Sequence, residues 1–302
     1  MSFKETLIVW FKAARAPFLV VSLLPSILGG LIAWQHGMFD WTLFIVATIG
    51  IVMAHGAADF IDDYYDYING NLGNKEQQFH DSPLIDGKVT TRQVLIAAGL
   101  SLAIAVGAGI YLLIEVGLPV LYLMAAGAFI VFFYTAPPVR LNYRGLGESA
   151  LFFAFGPMIV FGMYYVLTAQ FSWEPLLISV PVGIFTMNVG IVSNIFDHDD
   201  DVKSGKRCIP VRFGQPRTVQ ILLWGNILAY AAVPAGVLLD VLTWWSLLLL
   251  LTLPLAVAVV SLSRRFTDTR FYTPAMTKAI ALSSIGSIVL SLAYLLDFFI
   301  KL

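Results

Sequence analysis

Hydrophobic runs of about twenty residues, the length that crosses a bilayer core as a helix, recur along the whole chain with short polar stretches between them. A window of that length predicts nine transmembrane helices, at 16–35, 41–60, 92–113, 117–136, 148–169, 174–196, 217–238, 241–262 and 274–299. Two of the intervening polar stretches are long, 61–91 and 197–216, and two on the same side are shorter, 137–147 and 263–273. Nine spans put the N-terminus and the loops after the second, fourth, sixth and eighth helices on one side. Every Lys and Arg except Lys301 then falls on that side. The positive-inside rule makes it cytoplasmic. One span more or fewer would scramble this segregation, so charge and hydropathy support the same count.

Composition agrees with the pattern. Of 302 residues, 59% are hydrophobic and 12% charged, where a soluble domain carries about 25% charged residues, and the mean hydropathy is +0.82. A soluble globular fold is excluded. The expectation is an all-α, multi-pass protein of the cell membrane with nine transmembrane helices. Nothing points to nucleic acid, and no obligate protein partner is evident. The opening segment "MSFKETLIVWFKAARAP" is amphipathic and basic and lacks a small-residue cleavage site, so no cleavable signal peptide is expected. Cys208 is the single cysteine and rules out an intrachain disulfide.

The polar residues that break the pattern are acidic and ordered. In "DFIDDYYDYING", Asp59, Asp63 and Asp66 recur at i, i+4 and i+7 with Asp62 at i+3, so a helix projects all four from one face. In "SNIFDHDDDVKSGKR", Asn194, Asp197 and Asp201 repeat the spacing i, i+3, i+7. Each stripe ends an apolar helix on the basic side. Carboxylates this close raise one another's pKa, and a helix C-terminus adds to the cost. Such residues at a membrane boundary are often only a solvated helix end. Two stripes on one side, each with helical spacing, favour a metal site instead. Mg²⁺ binds through one or two carboxylates plus phosphate oxygens, so two ions held by Asp59, Asp62, Asp63, Asp66, Asp197 and Asp201 would share a diphosphate. Lys88, Arg140, Arg144, Lys206 and Arg207 would neutralise the charge that remains.

Both stripes end the second helix of a four-helix block, 16–136 and 148–262, with a ninth helix at 274–299. That echo predicts an ancient parallel duplication within one domain spanning 1–302. His55, one turn before the first stripe, reads as a helix-packing hydrogen bonder behind the site; His80 and His198 read as loop residues. Pro17, Pro25, Gly29 and Gly30 predict a kinked, closely packed first helix, with a bend that could open a lateral portal for a lipid tail.

These motifs resemble the UbiA superfamily of intramembrane prenyltransferases, nearest its menaquinone-pathway branch. The first stripe is similar to N-x-x-N-D-x-x-D-x-x-x-G, with Asp59 and Asp62 where asparagines are usual. The second is similar to N-x-x-D-x-x-x-D-x-x-x-G-K-x-T, matched by Asn194, Asp197, Asp201, Gly205 and Lys206, with Cys208 at the threonine position. "YTAPPVRLNYRGLGE" (134–148) resembles Y-T-x-P-P-x-x-L-x-Y-x-G-L-G-E. "RAPFLVVSLLPSILGG" (15–30) looks like the Arg-Pro first helix and brings in Arg15, and "SPLIDGKVTTRQV" (82–94) looks like the segment after the first motif, with Ser82 where Arg is common.

The resemblance implies that the nine helices surround a central cavity with a polar cap on the cytoplasmic side. It also implies Mg²⁺-dependent transfer of a polyprenyl group from its diphosphate to an acceptor, often an aromatic ring. Arg15, Lys88, Arg140, Arg144, Asn194, Lys206 and Arg207 would bind substrate. Lys206 would stabilise the leaving diphosphate, Tyr134 would face the allylic cation, and Asp62 or Asp66 would take the ring proton. Tyr64, Tyr65, Tyr67 and Tyr143 are further aromatic candidates. The leading acceptor is 1,4-dihydroxy-2-naphthoate, with geranylgeranylglyceryl phosphate as the competitor. From other classes, a divalent-cation transporter and a lipid-binding scaffold are the alternatives.

Overall fold

The structure is a computed structural model that describes residues 2–70 and 82–301. Lys75 and His80 lie outside the described residues. Among the described residues there are helices and no strands. Helix α1 (Phe3–Ala13) opens with a Ser2–Glu5 capping box. A 3₁₀ turn at Ala16–Leu19 leads into α2 (Val20–Gln35), and α3 (Trp41–Ile68) starts where the Asp40 carboxylate accepts from the Leu43 N–H. A Thr90–Gln93 capping box starts α4 (Thr91–Val116), followed by α5 (Pro119–Phe133). Next, α6 (Gly147–Phe153) continues through a π turn, Ala154–Met158, into α7 (Ile159–Thr168). Then come α8 (Trp173–Phe196), the short α9 (His198–Ser204) and α10 (Ile209–Phe213), and α11 (Gln215–Leu238). A 3₁₀ run, Trp244–Thr252, leads into α12 (Leu253–Ser263), and α13 (Tyr272–Lys301) closes the bundle.

Eight of the described segments are long and apolar enough to cross a membrane: Ala16–Gln35, Trp41–Ile68, Thr91–Val116, Gly147–Thr168, Trp173–Phe196, Gln215–Leu238, Trp244–Ser263 and Thr269–Ile300. The chain is an integral, multi-pass membrane protein. The remaining expected span, 117–136, is the 15-residue α5. At 1.5 Å per residue it covers about 22 Å, short of the roughly 30 Å hydrocarbon core. The difference from the sequence reading is one of length, since an apolar helix stands at each of the nine expected places.

The largest departures are at the ends of elements that carry polar residues. Helix α3 runs two turns past its expected apolar limit, so the whole first stripe is helical. Hydropathy cannot see those turns because the aspartates end the apolar signal while the helix goes on. Pro17 sits in the 3₁₀ turn outside α2, while Pro25 lies inside the continuous helix. Close packing at Gly29 is confirmed: a Cβ there would lie 2.4 Å from the Val160 carbonyl of α7. Gly156, in the π turn, would meet the Ser179 carbonyl of α8 at 2.7 Å.

Helix α8 lies at the centre of the core, with Ile178, Val182, Phe185, Ile191 and Ile195 buried against α11 and α13. Up-and-down connection sets the polarity of the bundle. The start of α2, the end of α3, the starts of α4 and α6, the end of α8 and the starts of α11 and α13 share one end. The end of α2, the start of α8 and the end of α13 meet at the other, where His36 Nε2 lies 2.8 Å from Glu174, Tyr294 donates to Glu174 (3.0 Å) and Gln35 to Asp297 (2.6 Å).

Candidate active site

The first stripe is held from three directions. Arg15, at the turn before α2, donates to Asp63 and lies 3.8 Å from Asp62. Burial works against the Arg15 charge, but Asp63, Asp59 and Asp62 outweigh it and hold the guanidinium firmly protonated. Thr135, just after α5, donates to Asp62. Nearer the end of α3, Tyr143 donates to Asp66 (3.3 Å), and Lys206 Nζ lies 3.5 Å from the same carboxylate. His55 sits behind the stripe, 3.0 Å from the Ser22 hydroxyl and 3.7 Å from Asp59, as a packing residue should.

The second stripe does not ride one helix, as its spacing predicted. Helix α8 ends at Phe196, Asp197 sits at the junction, and α9 begins at His198. Asp197 accepts from Ser193 (2.9 Å) and from Tyr272 of α13 (3.3 Å). Burial first, then Asp201, pushes the Asp197 carboxyl up to about 6. Asp201 is buried and accepts from the Cys208 thiol (3.1 Å), and burial followed by Asp201 drives that thiol well above its usual range.

Lys206 joins the two stripes. It is buried, 3.5 Å from Asp66 and 3.6 Å from Asp201. Burial would lower its pKa, yet Asp66, Asp201 and Asp62 together hold the ammonium well above the ordinary lysine value. It also lies over the Tyr143 ring, 5.8 Å from the centroid, with Arg140 5.3 Å from the same ring. Burial, with Asp66 next, pushes the Tyr143 phenol up to about 12. Tyr134, just after α5, has its phenol raised well above normal by burial, then by Asp62 and Glu148, so it stands in the field of the first stripe.

The other expected cations stay outside this cluster. Lys88 is half exposed and pairs with Asp86 (2.9 Å), Arg144 donates to the Pro138 carbonyl (3.1 Å), and Arg207 is exposed. Asn194 lies on α8 with its amide donating to Glu148 (3.0 Å). Tyr64 and Tyr65 stack edge-on and pack into the neighbouring apolar cluster, Tyr67 is exposed, and His198 pairs with exposed Asp199. Thr135, Glu148, Ser193 and Tyr272 are site contacts that sequence reasoning missed. Thr135 and Glu148 sit inside the quoted 134–148 motif and could have been found there. Tyr272 carries no local signal, since only packing of α13 brings it to Asp197.

The donor set fits a hard divalent cation. It consists of carboxylate oxygens, and Asp59 Oδ2 is buried without a hydrogen-bond partner. Among the described residues no three His, Cys, Asp or Glu side chains stand close enough to hold a metal alone.

Fold and site together define a multi-pass helical membrane protein with acid and base gathered at one end of the bundle. The UbiA prenyltransferase family matches residues 22–293, and the chain belongs to that family. It is 28% identical over 258 residues to the 2-carboxy-1,4-naphthoquinone phytyltransferase of Synechocystis sp., covering 83% of this chain and 81% of that protein. Identity to the 1,4-dihydroxy-2-naphthoate octaprenyltransferase of Mycobacterium tuberculosis is 30% over 249 residues, covering 82% of this chain and 83% of that one. Its fold is similar to that of a UbiA homolog from Archaeoglobus fulgidus bound to GPP and Mg²⁺, with a TM-score of 0.60 at 15% identity over 95% of this chain and 98% of the other. The chain is therefore a prenyltransferase, and the transporter and scaffold alternatives fall away.

Proposed function

We propose that this prenyltransferase moves a polyprenyl group from its diphosphate to an aromatic acceptor of the 1,4-dihydroxy-2-naphthoate type, in lipid-quinone biosynthesis and with Mg²⁺. The observation that carries the reading is the meeting of two acid stripes on one buried cation: Lys206 touches Asp66, 140 residues away, and Asp201 at once. The naphthoate relatives supply the acceptor class. Segregation of Lys and Arg supports placing this end at the cytoplasmic face of the cell membrane.

Asp59, Asp62, Asp63 and Asp66 from α3, with Asp197 and Asp201 from the α8–α9 junction, would hold the metal. The chemistry it supplies is neutralisation of the departing diphosphate. Lys206 exchanges Asp66 and Asp201 for diphosphate oxygens, and Arg15 and Arg140 add positive charge at the edges. The allylic C–O bond breaks as charge collects on those oxygens. Tyr134 and Tyr143 present ring faces to the allylic cation, which aromatic quadrupoles attract. The acceptor ring then forms the new C–C bond, and its proton passes to whichever of Asp62, held by Thr135, and Asp66, held by Tyr143, keeps a carboxylate oxygen free of the metal.

The test is transfer from radiolabelled geranylgeranyl diphosphate by purified protein, with and without Mg²⁺, offering dihydroxynaphthoate and geranylgeranylglyceryl phosphate separately. Mg²⁺-dependent product on the naphthoate alone is expected. Product on the glyceryl phosphate alone would move the acceptor to archaeal-type lipids, and metal-independent transfer would overturn the metal assignment.

A further inference from the structure

Glu148 is one of the most deeply buried charged residues described, 1% exposed at the first turn of α6. One oxygen, Oε1, accepts from the Asn194 amide at 3.0 Å and from the Ile209 N–H at 2.8 Å. The other, Oε2, is buried with no partner. One carboxylate thus ties together the end of α8 and the start of α10, just after Lys206. The unpaired oxygen makes this an expensive tie, because a buried acceptor without a donor costs about 1–3 kcal/mol and more when charged. A glutamine would offer the same two donors an acceptor without a buried charge.

The geometry points to Glu148 as a positioning residue that fixes the Asn194 amide and strengthens it as an oxygen donor. An amide has a donor side and an acceptor side. With Nδ2 given to Glu148, Oδ1 faces away from it, and among the described residues Oδ1 accepts no hydrogen bond. Turned over, the amide would set oxygen against carboxylate oxygen, so only one orientation is favourable. A carboxylate on the N–H side also shifts electron density toward the amide oxygen, as carboxylates do for metal-bound histidines. Asn194 precedes Asp197 by one turn, so the fixed oxygen stands on the same helix end as the second stripe. This inference rests on the metal–diphosphate reading above and deepens it.

The test is a double-mutant cycle on metal binding without turnover. Mn²⁺ is titrated into detergent-purified protein with the unreactive thiolo analogue of geranylgeranyl diphosphate, and bound metal is read by electron paramagnetic resonance. Glu148→Ala should weaken Mn²⁺ about 10–100-fold, the range for groups that orient metal ligands, and Glu148→Gln should weaken it less. In an Asn194→Ala background Glu148→Ala should change binding by about twofold or less, because its route to the metal is gone. A purely structural role would lower melting temperature and weaken Mn²⁺ equally in both backgrounds, and that result overturns the inference. So does a Glu148→Ala protein that binds Mn²⁺ as wild type does. Should Glu148→Ala not fold, Glu148→Gln runs the same cycle. No Mn²⁺ bound by wild type would instead sink the proposed function itself.

Discussion

The two acid stripes have similar spacing and opposite electrostatic settings. Asp63 and Asp66 fall in the last turns of α3, where the helix dipole presents its negative end. That stripe is balanced by a fixed cation brought from elsewhere, Arg15. The second stripe straddles a helix break, and Asp199, Asp200 and Asp201 lie in the first turn of α9, at the positive end of a short helix. Hydroxyls and a thiol hold it, Ser193 and Tyr272 on Asp197 and Cys208 on Asp201, and its one cation among the described residues, Lys206, is shared with the first stripe. Similar spacing in a sequence therefore does not mean equal local cost, since chain direction and helix ends set the field each stripe meets: Arg15 serves the first stripe alone, while Lys206 is shared by both.

The largest effects fall where the stripes meet. Asp66→Asn and Asp201→Asn should each cost about 10²–10³ in kcat, the scale for removing one group that stabilises developing charge, as measured by prenyl transfer at saturating Mg²⁺. If only one of the two loses activity, the stripes do not act as a pair. Arg15→Ala breaks the first stripe alone. It leaves Asp63 buried without its cation, so the metal-free protein should lose on the order of 3 kcal/mol. Mg²⁺ should restore most of its melting temperature; equal loss with and without Mg²⁺ would count against a cation at the first stripe.

Tyr272→Phe loosens the second stripe alone. It deletes one hydrogen bond to Asp197, and transfer should fall by a factor of about 3–10, corresponding to about 0.5–1.5 kcal/mol. The smallest effect lies at the opposite end of the bundle, as a control. There the hydrogen bond to Glu174 raises the His36 pKa despite partial burial. A raised folded-state pKa means that the stabilisation is full below the unfolded value, about 6.5, and is lost as pH rises through the folded one. His36→Gln should lower the melting temperature at pH 6 by the equivalent of about 0.5 kcal/mol. The gap should close by pH 8.5, with transfer unchanged throughout. A gap that persists at high pH would show that packing, not charge, holds His36.

The sequence by itself determined the membrane class, the sites of the nine apolar helices and the stripes with their aspartates. Each of these is written in residues adjacent along the chain or one helical turn apart, and hydropathy and the 3.6-residue period read that scale. Tertiary structure decided which cations belong to the site. Arg15 and Lys206 reach the carboxylates, while Lys88, Arg144 and Arg207, equally basic and on the same side, find other partners or water. It also decided that the second stripe bends at Asp197, that Glu148 holds Asn194 and that Tyr272 reaches across from the last helix. A side chain's partner depends on the crossing of helices far apart in sequence. Coulomb attraction and burial act over a few ångströms of space, however many residues of chain lie between.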